Sequence, residues 1–248
     1  MFKNKLKISA ILIASALTVS TTALANGSEL SPDSRSIDSP DKGVAASTSQ
    51  VQDTQSRISQ LSYIAQDQNQ SVASRANALQ ELRTFPSQNA LVAVARGLKD
   101  KNSEIREAAI IGSEPYQLDH RWKMVSPLLE DPEVMVRHTA ASNLVRDYNS
   151  VTESQKQQLD APVKELIAFL EGQSTEEYQL LFADVLRWYN QWAQAETVYV
   201  ELLKHRQEVP QVWLSYADNF RAQGKDNLAV ETLDRAIEIM PDNSALHY

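Results

Sequence analysis

Two internal periods run through this chain, and they constrain its fold more than any other feature. Between residues 57 and 147, Arg75, Arg106 and Arg137 recur every 31 residues, as do Ala78, Ala109 and Ala140. Asn69, Asp100 and Asp131 keep the same phase, and Leu98 and Leu129 join it in the later two units. In the C-terminal third the spacing becomes 34, carried by Ala183/Ala217, Asp184/Asp218, Arg187/Arg221 and Ala195/Ala229. A fixed period of about 20–50 residues marks a stack of supersecondary units, none of which can bury its apolar face alone. Only 6 glycines and 9 prolines occur among 248 residues, with Ala, Leu, Gln and Glu abundant, so the units are expected to be helical. The expected fold is all-α, an alpha-solenoid.

The clearest unit of the first array runs from Asp131-Pro132 through Val136-Arg137, Ala140 and Ala141 to Leu144. An acidic cap followed by proline suits a helix start, because the proline N–H is not needed there. Val136, Ala140 and Leu144 then share one face at helical spacing. Another amphipathic helix is expected ahead of each such helix, on Ile58/Leu61/Ile64, Leu91/Val94/Leu98 and Met124/Val125/Leu128. This pattern resembles HEAT repeats, in which a D-P-x-x-x-V-R-x-x-A-A-x-x-L helix follows a short outer helix. The first unit departs from it, with Ser74 in place of the apolar residue before Arg75. The resemblance assigns 55–150 to a HEAT-like domain. It also implies that each arginine joins the acidic cap of a neighbouring unit, Arg106 with Asp131, as a packing ladder.

The second unit of the later array reads Trp213, Tyr216, Ala217, Phe220, Gly224, Ala229, Leu233, Ala236, Pro241. It is similar to the tetratricopeptide repeat (TPR) at nearly every position, which assigns 174–248 to two such repeats and the start of a third. The first of them is looser, with Asn190 where glycine is usual and no closing proline. Ser174 and Glu177 have the spacing of a capping box for its first helix. Thr152 and Gln155 have the same spacing at the head of a bridging helix within 151–173, which Pro162 is expected to kink or split.

The order of these parts, from Arg121-Trp122 to Tyr248, resembles the C-terminal accessory module of exported multihaem cytochrome c proteins. The chain has no C-x-x-C-H and indeed no cysteine, so it cannot hold covalent haem, and no cofactor is expected. The absence of cysteine also excludes disulfides and a thiol nucleophile. What the resemblance implies is a scaffold working beside envelope proteins, with a multihaem cytochrome as the candidate partner.

Export is read from the N-terminus. Lys3, Lys5 and Lys7 precede an apolar run from Ile8 to Val19, and Ala23-Leu24-Ala25 supplies small residues at a cleavage site. This is the three-part pattern of a signal peptide, 1–25, with a mature chain beginning at Asn26 in the periplasm or outside the cell. The run is too short for the roughly 20 residues of a membrane span. Cleavage would remove three lysines and no acids, taking the formal charge from −8 to −11. That balance argues against nucleic acid, whose phosphates need a basic surface. Residues 26–54 are rich in Ser, Asp, Gly and Pro without an aromatic, and are expected to form a disordered linker.

Chemistry is hard to find. The four histidines, His120, His138, His205 and His247, show no metal-binding spacing, and His138 is expected to be partly solvated. There is no G-x-S-x-G elbow and no phosphate-binding glycine loop. The expected function is therefore non-catalytic, a protein–protein scaffold or adaptor. The alternative is an enzyme acting on a chromophore or envelope polymer from a HEAT-like frame.

The TPR resemblance implies groove-facing positions on the first helix of each pair. These are Glu177, Leu180, Asp184, Arg187 and Trp188, then Gln211, Leu214, Asp218, Arg221 and Ala222. The arginines would meet carboxylates of a peptide, with Trp188 or Leu214 against an apolar anchor. Equally, Asp184/Arg187 and Asp218/Arg221 lie three apart, so each is placed for an ion pair within its own helix. Beyond Pro241, the segment Asn243 to Tyr248 is too short for a further stable helix, which predicts an apolar C-terminal face on Leu228, Leu233, Ile237 and Ile239. A second copy of the chain, or a partner helix that completes the array, is expected there.

Overall fold

The computed structural model describes residues 42–247. The expected signal peptide, 1–25, and residues 26–41 of the expected linker lie outside the described residues. All regular structure among the described residues is helical. α1 (Lys42–Gln66), α2 (Val72–Glu81), α3 (Gln88–Gly97), α4 (Ser103–Gly112), α5 (Leu118–Val125) and α6 (Val134–Val145) form the N-terminal array. A 3-10 turn, Ser126–Glu130, continues α5. α7 (Glu153–Glu171) leads to α8 (Glu176–Trp188), α9 (Trp192–Leu203), α10 (Pro210–Arg221) and α11 (Asp226–Ile239).

The second helix of each 31-residue unit stacks on the next: α2 on α4, and α4 on α6. α1 and α3 pack together outside that layer, while α5 and its 3-10 turn lean on α6. α7 packs on α6 and α8, and α8 also touches α6, so the array passes into the C-terminal half without a break. There α8 pairs with α9, α9 with α10, and α10 with α11. Adjacent helices pairing in chain order is an arrangement compatible with an all-α solenoid. No described helix is long and apolar enough to cross a membrane.

The 31-residue spacing is visible in the starts of the stacked helices. Ser71 caps α2 and Asn102 caps α4, each through its side chain, and Glu133 occupies the matching place before α6. Asp131 and Pro132 therefore sit just ahead of the α6 start rather than at it. Asp131 acts from there, its Oδ1 accepting the Glu133 N–H at 2.9 Å. Between α2 and α4 the backbones meet at Gly112, where a Cβ would lie 2.6 Å from the Leu79 carbonyl oxygen. A glycine is the residue that permits this approach.

Three guanidiniums run across the stack as a ladder. Arg75 reaches Asp100 at 2.5 Å, Arg106 reaches both oxygens of Asp131 at 2.8 Å, and Arg137 reaches both oxygens of Glu165 at 2.6 and 3.1 Å. Each arginine also donates to backbone carbonyls of its own unit: Arg75 to Ala65, Arg106 to Asp100 and Lys101, Arg137 to Asp131 and Pro132. Burial works against the charge on Asp131, but Arg106 and the Glu133 N–H outweigh it and hold the carboxyl below the ordinary value. Asp100 is lowered in the same way, by the Asn102 N–H and Arg75 against burial. The ladder supplies register and charge satisfaction to a packed layer of small residues, Ala78, Ala109 and Ala140.

Several local expectations are corrected. Residues 42–54, read as linker, belong to α1; the stretch after Gly43 is Ala- and Gln-rich and free of proline, and such residues favour helix. The Thr152/Gln155 capping box forms, but Ser174 does not cap α8, which starts after Thr175 without a side-chain cap. Pro162 neither ends nor splits α7, which runs through it. Proline in a helix interior costs ~3 kcal/mol, so the packing of Leu159, Val163, Leu166 and Leu170 holds the segment helical.

Candidate partner-binding site

In the C-terminal half the 34-residue spacing is built into the turns. α8 ends on Asn190 at φ 64° and α10 on Gly224 at φ 70°, both left-handed. Behind each, the next N–H reaches back five residues, Gln191 to the Leu186 carbonyl at 2.8 Å and Lys225 to Phe220 at 3.0 Å. This is a Schellman ending, and asparagine is the usual substitute for glycine in it. Asn190 also exchanges amide hydrogen bonds with Asn149, tying this turn to the end of the N-terminal array. The two endings set α8 and α10 in equivalent poses, each carrying an aspartate and an arginine three residues apart.

The pairs differ sharply in surroundings. Asp184 and Arg187 are enclosed, their side chains 16% and 14% exposed. Asp184 Oδ1 accepts from Arg187 at 3.1 Å and from the Tyr199 hydroxyl at 2.6 Å, and Arg187 Nε donates to the Tyr199 oxygen at 3.3 Å. Burial opposes the Arg187 charge, but Asp184 and Tyr199 outweigh it and keep the guanidinium protonated. Burial and Asp184 together push the Tyr199 hydroxyl well above its ordinary value. Asp218 and Arg221 form only one contact, at 3.3 Å, with side chains 40% and 67% exposed. The first pair is an internal polar core, and the second is available to a partner.

The other expected groove residues divide similarly. Glu177 is exposed on the first turn of α8. Leu180 points the other way, buried in a core with Val212 and Trp213. Trp188 is half-buried at the junction of the two halves, with the Arg146 guanidinium 4.9 Å from its ring centroid. It is held by this chain and is not free as an anchor. Gln211 and Leu214 are half-buried on α10, Leu214 against the same core as Leu180. On α10 the accessible residues that meet are Asp218 and Arg221.

The C-terminal apolar face is largely closed. Asn243 caps a 3-10 turn, Ser244–Leu246, by accepting the Ala245 N–H at 3.0 Å. Leu246 thereby folds back into the core beside Val212, Trp213 and Ala236, and Ile237 packs against it. Leu233 is half-buried beside Ala217, Phe220 and Ala229. Leu228 and Ile239 remain exposed as expected. One capped turn sufficed where a full helix was thought necessary.

Three features were missed in the sequence. His138 is not solvated but buried, its ring 4.8 Å from Phe169 of α7 and both nitrogens without a hydrogen bond. Burial, with Arg137 adding to it and Glu165 opposing, pushes its pKa down. Glu107 stands on α4 one 31-residue step before it, and burial, reinforced by Glu104, raises its carboxyl to about 7. Third, the 3-10 turn Ser126–Glu130 and the first half of α7 stand apart, leaving a groove of about 730 Å³ floored by Arg137. Its only sequence signal is Pro162. No group of three or more metal-ligating side chains occurs among the described residues.

Comparison of the chain with protein-family models, with curated proteins and with solved structures returned no match. The helical architecture and the α10 surface therefore carry the functional reading.

Proposed function

We propose that this protein is a non-catalytic interaction scaffold of the cell envelope, built from HEAT-like units over 55–150 and TPR-like hairpins over 174–248. On this reading it is exported by its N-terminal signal and serves as an adaptor for another envelope protein, a multihaem cytochrome complex being the partner that its resemblance suggests. The observation that carries the proposal is the contrast between two equivalent Asp/Arg pairs. Arg187 is enclosed in the fold and bonded to Asp184 and Tyr199, whereas Arg221 is exposed on α10 and makes a single bond among the described residues, to Asp218. An exposed arginine with donors to spare beyond Asp218 is suited to a carboxylate of a bound peptide, since guanidinium–carboxylate pairs are strong and directional.

The test is affinity capture from a periplasmic extract with the wild type and Arg221→Glu. A partner that the wild type retains and the variant loses, at unchanged melting temperature, supports the scaffold reading. Equal retention by the two proteins removes α10 as the binding surface. Turnover of a chromophore or envelope polymer without any partner would favour the enzyme alternative.

A further inference from the structure

The groove between the Ser126–Glu130 turn and α7 has a backbone acceptor built into its wall. Pro162 has no N–H, so the Gln158 carbonyl lacks the donor that an i+4 residue supplies along the rest of a helix. Gln158 and Pro162 both line the groove. Beside them, the Gln157 and Gln158 amides and the Ser126 hydroxyl bond to no protein atom among the described residues. The wall thus offers both hydrogen-bond donors and acceptors, which suits the unpaired backbone groups of an extended chain.

The charges narrow the occupant. Arg137 is already paired with Glu165 and donates to two carbonyls, so its charge is neutralised within the fold. Glu130, across the groove, is exposed and makes no ion pair among the described residues. The net charge presented is negative, and the remaining lining is apolar, from Pro127, Leu129 and Ala161. We propose that this groove docks an extended, basic peptide segment of a partner protein, its backbone N–H on the Gln158 carbonyl and a lysine or arginine on Glu130. The site is separate from α10, and its failure would leave the α10 reading intact.

The test is fluorescence anisotropy of the full chain with a labelled heptapeptide that alternates lysine and valine. Two controls carry glutamate for lysine or N-methylated valines. The lysine peptide binds, and both controls bind about tenfold or more weakly, since each lacks either the charge or the backbone donors. Pro162→Ala restores the helix bond, and it is expected to raise the melting temperature while weakening the lysine peptide about tenfold. Glu130→Lys reverses the preference between the lysine and glutamate peptides. The proposal is overturned if the lysine peptide fails to bind, if N-methylation has no effect, or if Pro162→Ala binds as well as the wild type. Self-association abolished by Glu130→Lys in sedimentation would overturn it too, by giving the groove to a second copy.

Discussion

Removing Arg106 should cost far more than removing Arg137, although both occupy one position of the repeat. Arg106 and Asp131 have side chains only 11% and 5% exposed and share two bonds of 2.8 Å. Without the guanidinium, the Asp131 carboxylate stays buried with the Glu133 N–H as its remaining bond, and the Asp100 and Lys101 carbonyls lose a donor as well. Stripping one partner from a buried pair costs ~3–5 kcal/mol, because the other charge is left uncompensated. In Arg137–Glu165 the side chains are 25% and 40% exposed, so Glu165 can turn to water and the loss is much smaller. With a urea m-value of ~1–3 kcal/mol/M, Arg106→Ala should lower the midpoint by ~1 M or more, several times the effect of Arg137→Ala. Arg106→Met combined with Asp131→Leu should recover most of the loss, since no charge is then stranded. Asp131 is lowered in the folded chain, so this contribution is full above the ordinary aspartate range and fades as pH falls through the depressed value. Urea titrations followed by circular dichroism decide the matter. Equal midpoint shifts for Arg106→Ala and Arg137→Ala, or a double variant no better than the single, would refute burial as the controlling factor.

Two further outcomes follow from the same packing. Glu107 is raised to about 7, so the fold prefers its protonated form and loses stability as pH climbs from the ordinary glutamate value towards 7. Glu107→Gln should therefore raise the melting temperature at pH 8, by the equivalent of ~1 kcal/mol after allowing for partial exposure, and change little at pH 4; an equal effect at both values would contradict the assignment. Gly112→Ala places a methyl group 2.6 Å from the Leu79 carbonyl and should destabilise the array by ~1–3 kcal/mol, so an unchanged melting temperature would show that α2 and α4 can separate freely.

What the sequence made legible was whatever repeats. The phase of Arg75, Arg106 and Arg137 announced the ladder, because an arginine and an acid recurring together in helices of small residues leave little else for the charges to meet. Asn190, which in the sequence marks only a departure from the repeat, keeps the same left-handed turn as Gly224, since these two residue types tolerate positive φ best. What stayed hidden depends on contacts between units that share no period. Repeat position places Trp188 and Leu180 in a groove, yet Trp188 meets Arg146 at the end of the N-terminal array and Leu180 packs into the core with Val212 and Trp213 of α10. His138 looked solvated until Phe169 of α7 covered it.

The same irregularity makes the candidate sites intelligible. Repetition gives α8 and α10 the same Asp/Arg pair, and the array's passage into α8 encloses one copy while leaving the other open. Repetition would likewise set a further outer helix against α5, but α7 enters apart from the Ser126–Glu130 turn and carries Pro162 on its groove wall. A regular stack satisfies its own polar groups at every step, so binding capacity arises where the step changes. In this chain the change from a 31-residue to a 34-residue period lies between α6 and α8. The groove, walled by α7, lies at this change and the exposed Arg221 lies beyond it on α10, so the two proposed docking surfaces are separate rather than one continuous concave face.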